Sequence, residues 1–154
     1  MILRFLFIAF VIALTGCSND IYFEQNQELS PRLKWQKNDK KTFIVPVDDI
    51  ASKFQKKLNF RYVEGFAHKT FKVKVTEITP SKVQSVNSYE LEIIDPNGEY
   101  IGDPALDIWD SQHEIGAPIS YKEKGNYTYI LEFEGEEKSL AFAMEIGLVL
   151  EKKN

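Results

Sequence analysis

The sequence predicts an all-β protein, an antiparallel β-sandwich of jelly-roll type. Three observations carry that prediction. Apolar and polar residues alternate in several short runs, the two-residue period of a strand with one wet face. Turn-forming residues interrupt those runs at close intervals. After the opening apolar segment, no stretch keeps a helical period for more than a turn or two.

The chain opens with a short cationic start, Met1 to Arg4, and an unbroken apolar run from Phe5 to Leu14. That run matches the core of an export signal and falls well short of the roughly 20 residues a spanning helix needs. Leu14-Thr15-Gly16-Cys17 follows at once and looks like the lipobox of bacterial lipoproteins. Two small residues there let a peptidase reach the backbone, and the Cys17 thiol can accept a diacylglycerol. Cys17 is the only cysteine in the chain, so once acylated it leaves no thiol for a disulfide. Two or more acyl chains on one residue hold a protein stably at a membrane. Residues 1–16 therefore read as a signal peptide and 17–30 as a polar tether. Residues 31–154 read as a single β-sandwich domain.

Within that domain, Arg32 to Trp35 alternates and Lys41 to Val45 is β-branched and aromatic, with Pro46 as a stop or an edge marker. Asp48 to Leu58 is ambiguous. Ile50, Phe54 and Leu58 lie four apart as on a helix with an aspartate cap, yet Phe54, Leu58, Phe60 and Tyr62 keep a strand period if Lys56 is discounted. A bend or helical turn to about residue 53, then a strand from about 54 to 62, reconciles the two. Phe71, Val73 and Val75 form a half-buried strand, as do Tyr89, Leu91 and Ile93. Asp95-Pro-Asn-Gly98 supplies a tight turn, and Glu99 to Ile101 returns from it. Pro118 to Tyr121 is extended, and Lys124 to Asn126 is a turn. Tyr127, Tyr129, Leu131 and Phe133 give the clearest alternation in the chain. After a turn at Glu134 to Glu137, Ala141 to Leu150 closes the fold.

Composition excludes some functions. With 19 basic and 23 acidic residues the net charge is −4. Arg4 leaves with the signal peptide and makes the remainder more acidic, so no basic face for nucleic acid is expected. The lysine runs at 34–41 and 53–57 read as solvated strand faces. His68 and His113 stand alone in polar segments and read as solvated. The glycines sit at turns, and no serine stands in a nucleophile elbow. Neither a catalytic site, a cofactor nor a small-molecule substrate is expected.

The segment Gly98 to Asp110 is the exception to the regular pattern. Asp103, Asp107 and Asp110 could offer oxygens to calcium, though without the spacing of a known calcium loop. Trp109, Tyr100 and Tyr121 could form a stacking platform for a sugar, making the protein a carbohydrate- or ligand-binding lipoprotein. A third reading makes the segment scaffold. Trp109 then covers the end of the sandwich and bonds its indole N–H to a carbonyl or carboxylate, while Asp107 or Asp110 accepts amide bonds within the loop.

Taken in order, these features resemble the gliding-motility lipoprotein GldH family. The likeness rests on Leu14-Thr-Gly-Cys17 and its polar tether, Leu33-Lys-Trp35 ahead of the Phe43 strand, and Phe60-Arg61-Tyr62 followed by Phe71 to Val75. It continues through Tyr89-Glu-Leu91, Gly98-Glu-Tyr-Ile-Gly102, Asp107-Ile-Trp-Asp110 and Gly125-Asn-Tyr127 to the closing Glu145 to Leu150. The resemblance implies a non-enzymatic lipoprotein of the Bacteroidota envelope, held by lipidated Cys17 in the outer membrane and facing the periplasm, with exposure at the cell surface as the alternative. It implies protein partners in the gliding machinery and the type IX secretion system associated with it. Asp107, Trp109 and Asp110 then belong to a structural or docking loop.

Overall fold

A computed structural model describes residues 20–153. Residues 1–16, read as a signal peptide, and Cys17 lie outside the described residues. Eleven strands follow one another: β1 (Ile21–Glu28), β2 (Lys34–Gln36), β3 (Lys41–Val47), β4 (Lys53–Val63), β5 (Thr70–Ile78), β6 (Gln84–Glu92), β7 (Asp103–Ala105), β8 (Ile108–Ile119), β9 (Gly125–Glu134), β10 (Ser139–Ala141) and β11 (Ala143–Lys153). One sheet has the order β1-β11-β4-β8-β7 and the other β3-β9-β5-β6, with β2 and β10 as a small separate ribbon.

The pairing is nested. β1 pairs with β11, β3 with β9, β4 with β8 and β5 with β6, all antiparallel. A long hairpin folded over on itself gives that pattern, which is the jelly roll the sequence predicts. Inward-facing side chains of both sheets meet in a core that includes Phe43, Val45, Leu58, Phe60, Tyr62, Leu131, Ile146 and Leu148. Tyr127, Tyr129, Leu131 and Phe133 all point into it, as their alternation requires. Trp35 is fully buried where the β2–β10 ribbon covers one end of the sandwich, and its indole N–H donates to the Asp39 carbonyl at 2.9 Å. Burying so large a ring favours closure of that end, and the carbonyl satisfies its one donor.

Four expectations need correction. Residues 21–28, read as tether, form β1. Their composition is polar because β1 is an edge strand: the backbone ladder to β11 holds it, and only flanking aromatics such as Tyr22 and Phe23 pack on the core. Residues 103–110, read as loop, form the tight β7–β8 hairpin, with Leu106 at φ 60° in the turn. β6 begins at Gln84, well before the apolar alternation does, because its first half is an exposed edge. Lys56 is not solvated. It lies on the inner face of β4, and its Nζ reaches Glu77 of the opposite sheet at 3.0 Å. The bend before β4 forms as expected, with Asp49 Oδ1 accepting the amides of Ala51 and Ser52.

Candidate functional site

The outer face of the five-stranded sheet carries a polar row that crosses every strand. Register aligns Glu28 of β1 with Glu145 of β11, Glu145 with Arg61 of β4, Arg61 with Asp110 of β8, and Asp110 with Asp103 of β7. Antiparallel neighbours in register stand side by side, so one guanidinium faces carboxylates on both sides. Arg61 grips Asp110 with two parallel bonds, Nε to Oδ1 at 2.7 Å and Nη2 to Oδ2 at 3.0 Å, and Nη1 reaches Glu145 Oε1 at 3.1 Å. The Asp110 carboxylate, and then Glu145, push the Arg61 pKa above its ordinary value, against the opposing effect of partial burial.

A second row lies beside the first. Asn26, Gly147, Asn59 and Gln112 are in register across β1, β11, β4 and β8. Gln112 Nε2 donates to Asn59 Oδ1 at 2.9 Å. Asn59 Nδ2 in turn donates to Glu24 Oε1 at 3.0 Å and to Asn26 Oδ1 at 3.2 Å. Glycine is required beneath them, because a Cβ at Gly147 would fall on the Asn26 amide. Together the two rows line an open trench of about 280 Å³. Arg61, Asp110 and Glu145 are bonded together, as are Gln112, Asn59, Asn26 and Glu24, and all lie on strands, so the surface is rigid and polar. It can recognise a partner through carboxylates and amides.

The segment singled out in the sequence is divided between faces. Asp110 belongs to the trench, bonded to Arg61 and not to loop amides as expected. Trp109 points the other way, half-buried against the core, with its ring 5.3 Å from that of Tyr100. It is held by ring packing; among the described residues, no acceptor meets its indole N–H. Asp107 lies exposed in the hairpin turn, where its carbonyl accepts the Glu64 amide at 2.7 Å. The sugar platform also fails, because Tyr121 is buried and Tyr100 packs on the core, its hydroxyl spent on the Phe66 carbonyl. Among the described residues, no group of three or more His, Cys, Asp or Glu could hold a metal ion.

His113 is also unlike its expectation. It lies in β8, half-buried, and its Nε2 is 2.9 Å from Ser111 Oγ. Ser111 donates its own proton to the Phe60 carbonyl, so the imidazole must donate to Ser111. Burial lowers the His113 pKa and keeps the ring neutral. The serine is buried with its proton committed to a backbone carbonyl, an arrangement that braces β8 on β4.

The residues missed in the sequence are Arg61, Glu145, Asn59, Asn26 and Gln112. Half of the signal was present, since Lys57, Asn59 and Arg61 interleave with Leu58, Phe60 and Tyr62, and Asp110, Gln112 and Glu114 follow the same period. Which strands would be neighbours was not legible from that alternation.

A model of the GldH lipoprotein family matches residues 21–150. The chain belongs to the GldH lipoprotein family. No curated protein matches the chain. The GldH match begins at the first residue of β1 and ends within β11, so it takes in both sheets and every trench residue. Membership in a lipoprotein family makes this a membrane-anchored protein of the cell envelope. Among the described residues, no helix is long and apolar enough to cross a membrane.

Proposed function

We propose that this protein is a non-enzymatic lipoprotein, anchored through Cys17 in the outer membrane and facing the periplasm. There it supports assembly of the gliding machinery and the associated type IX secretion system. The observation that carries the reading is the GldH family match, which extends over the whole sandwich. The trench agrees with a docking role: its Arg61, Asp110 and Glu145 side chains are paired with one another on rigid strands, and it offers a partner an open face.

The test is deletion of the gene followed by complementation. Loss of gliding, or of type IX cargo secretion in a non-gliding host, should be restored by the wild-type gene. It should not be restored by Cys17→Ser, which should also abolish fatty-acid labelling. Crosslinking in intact cells should join the protein to other components of the apparatus. Normal secretion and motility in the deletion strain would overturn the reading.

A further inference from the structure

We infer that one end of the sandwich rests directly on the bilayer and is built to touch anionic headgroups. This rests on Cys17 being the lipid attachment point. Only Ser18 and Asn19 separate Cys17 from Asp20, whose carbonyl accepts the Lys152 amide at 2.7 Å at the start of the β1–β11 ladder. Three residue steps reach about 10 Å at full extension. So short a connection cannot hold the domain clear of the membrane.

The topology determines what lies at that end. β3 stops at Val47 and β4 starts at Lys53; β5 stops at Ile78, β8 at Ile119, and β9 starts at Gly125. The turns 48–52, 79–83 and 120–124 therefore gather beside the start of β1. They and the adjoining strand end carry four exposed lysines, Lys53, Lys82, Lys122 and Lys124, which make no ion pair among the described residues. Acids of the same end are engaged: Asp49 with Lys152, Asp48 with the Tyr22 hydroxyl, and Glu123 with Ser81. Its ammonium groups are thus left for an outside anion. Exposed Ile50 and Val83 project from two of the turns. Unpaired lysines around single aliphatics suit a headgroup layer, where phosphate takes the charge and the aliphatic enters the acyl boundary.

The other end is displaced along the strands. Eight residues of β1 at about 3.3 Å each put the Arg61 row and the fully exposed Leu106 about 25 Å farther from the anchor. The trench then stands away from the membrane, open to a partner.

Because acylation consumes the only cysteine, an introduced cysteine is a unique thiol in the mature protein. Full-length lipidated Lys124→Cys and Leu106→Cys proteins would be labelled with an environment-sensitive fluorophore. They would be placed in phosphatidylethanolamine–phosphatidylglycerol vesicles containing lipid with a headgroup nitroxide. The label at position 124 should be quenched several-fold more than that at 106. The difference should shrink in phosphatidylcholine vesicles, and when Lys53, Lys82 and Lys122 are replaced by glutamine. Equal quenching, or the reverse order, in vesicle-bound protein would overturn the orientation. An undiminished difference in phosphatidylcholine would overturn the role of headgroup charge. Protein that fails to bind vesicles at all would overturn the lipid anchor, and this inference with it.

Discussion

Replacing Lys56 with methionine should destabilise the domain by about 3 kcal/mol, and the structure explains why the value is neither trivial nor larger. The Lys56 and Glu77 side chains are only 10% and 17% exposed, with Nζ 3.0 Å from Oε2. Nζ also lies 5.8 Å from the centroid of the Tyr129 ring, within cation–π range. Methionine fills the same space but leaves the Glu77 carboxylate between the sheets without its cation. Breaking a buried pair in this way costs about 3–5 kcal/mol. The lower figure applies because Glu77 borders an open cavity of about 620 Å³ that admits water. Lys56→Met with Glu77→Leu removes both charges and should return to within about 1 kcal/mol of wild type. Urea unfolding followed by circular dichroism on the four proteins gives the coupling, expected to be at least about 2 kcal/mol. If Lys56→Met melts like wild type, or the double variant is no better than the worse single one, the pair is not a buried inter-sheet bond.

Leu131 is fully buried on β9, so Leu131→Ala should cost about 2–5 kcal/mol in the same assay, against almost nothing for a surface position. Arg61→Gln should cost no more than about 1 kcal/mol, because Arg61 and Asp110 are 38% and 46% exposed, and the loss should fade in high salt. Gly102 has φ 129°, and a Cβ there would lie 2.4 Å from the Asp110 carbonyl oxygen. Gly102→Ala should therefore cost about 2 kcal/mol or more by melting. Burial holds the His113 pKa below its ordinary 6.5, so the unfolded chain takes up that proton first. Stability from neutral His113 is complete above pH 6.5 and is lost as pH falls through the folded value, and His113→Gln should remove that part of the pH dependence. EDTA or calcium should leave the melting temperature unchanged, since no metal-ligand cluster occurs among the described residues.

The parts of the fold legible in the sequence were those where side-chain burial alternates. The core face of β9 was read correctly because Tyr127, Tyr129, Leu131 and Phe133 each bury a large group, although the strand begins at Gly125, inside the expected turn, and Glu132 is buried as well. β4 was read apart from Lys56. Edge strands were lost because the backbone ladder supplies much of their stability: β1 reads as a tether, and the first half of β6 has no apolar alternation to reveal it. The candidate site was half legible for a related reason. Period shows that Arg61 and Asp110 each face outward, but their contact depends on β4 and β8 being neighbours, a pairing that spans 49 residues. Lys56 was misread because a charged side chain breaks an apolar period on paper. In space it satisfies Glu77 across the core.

The nested pairing also determines when this protein can fold. β11 lies between β1 and β4, with Ile21 opposite Glu151 and Lys152 opposite Phe54, so the first strand has no neighbour until the last has been made. Contacts this distant in sequence close slowly, since the chain must lose loop entropy before any pairing rewards it. A ribosome releasing the chain from its amino end therefore delivers a polymer unable to complete its larger sheet. That delay suits a protein threaded through a translocon in extended form, which reaches its native shape only after crossing. It also makes the carboxy-terminal residues the latch of the structure: a chain cut short before Ile146 would lose most of the strand between β1 and β4 and leave β1 unpaired.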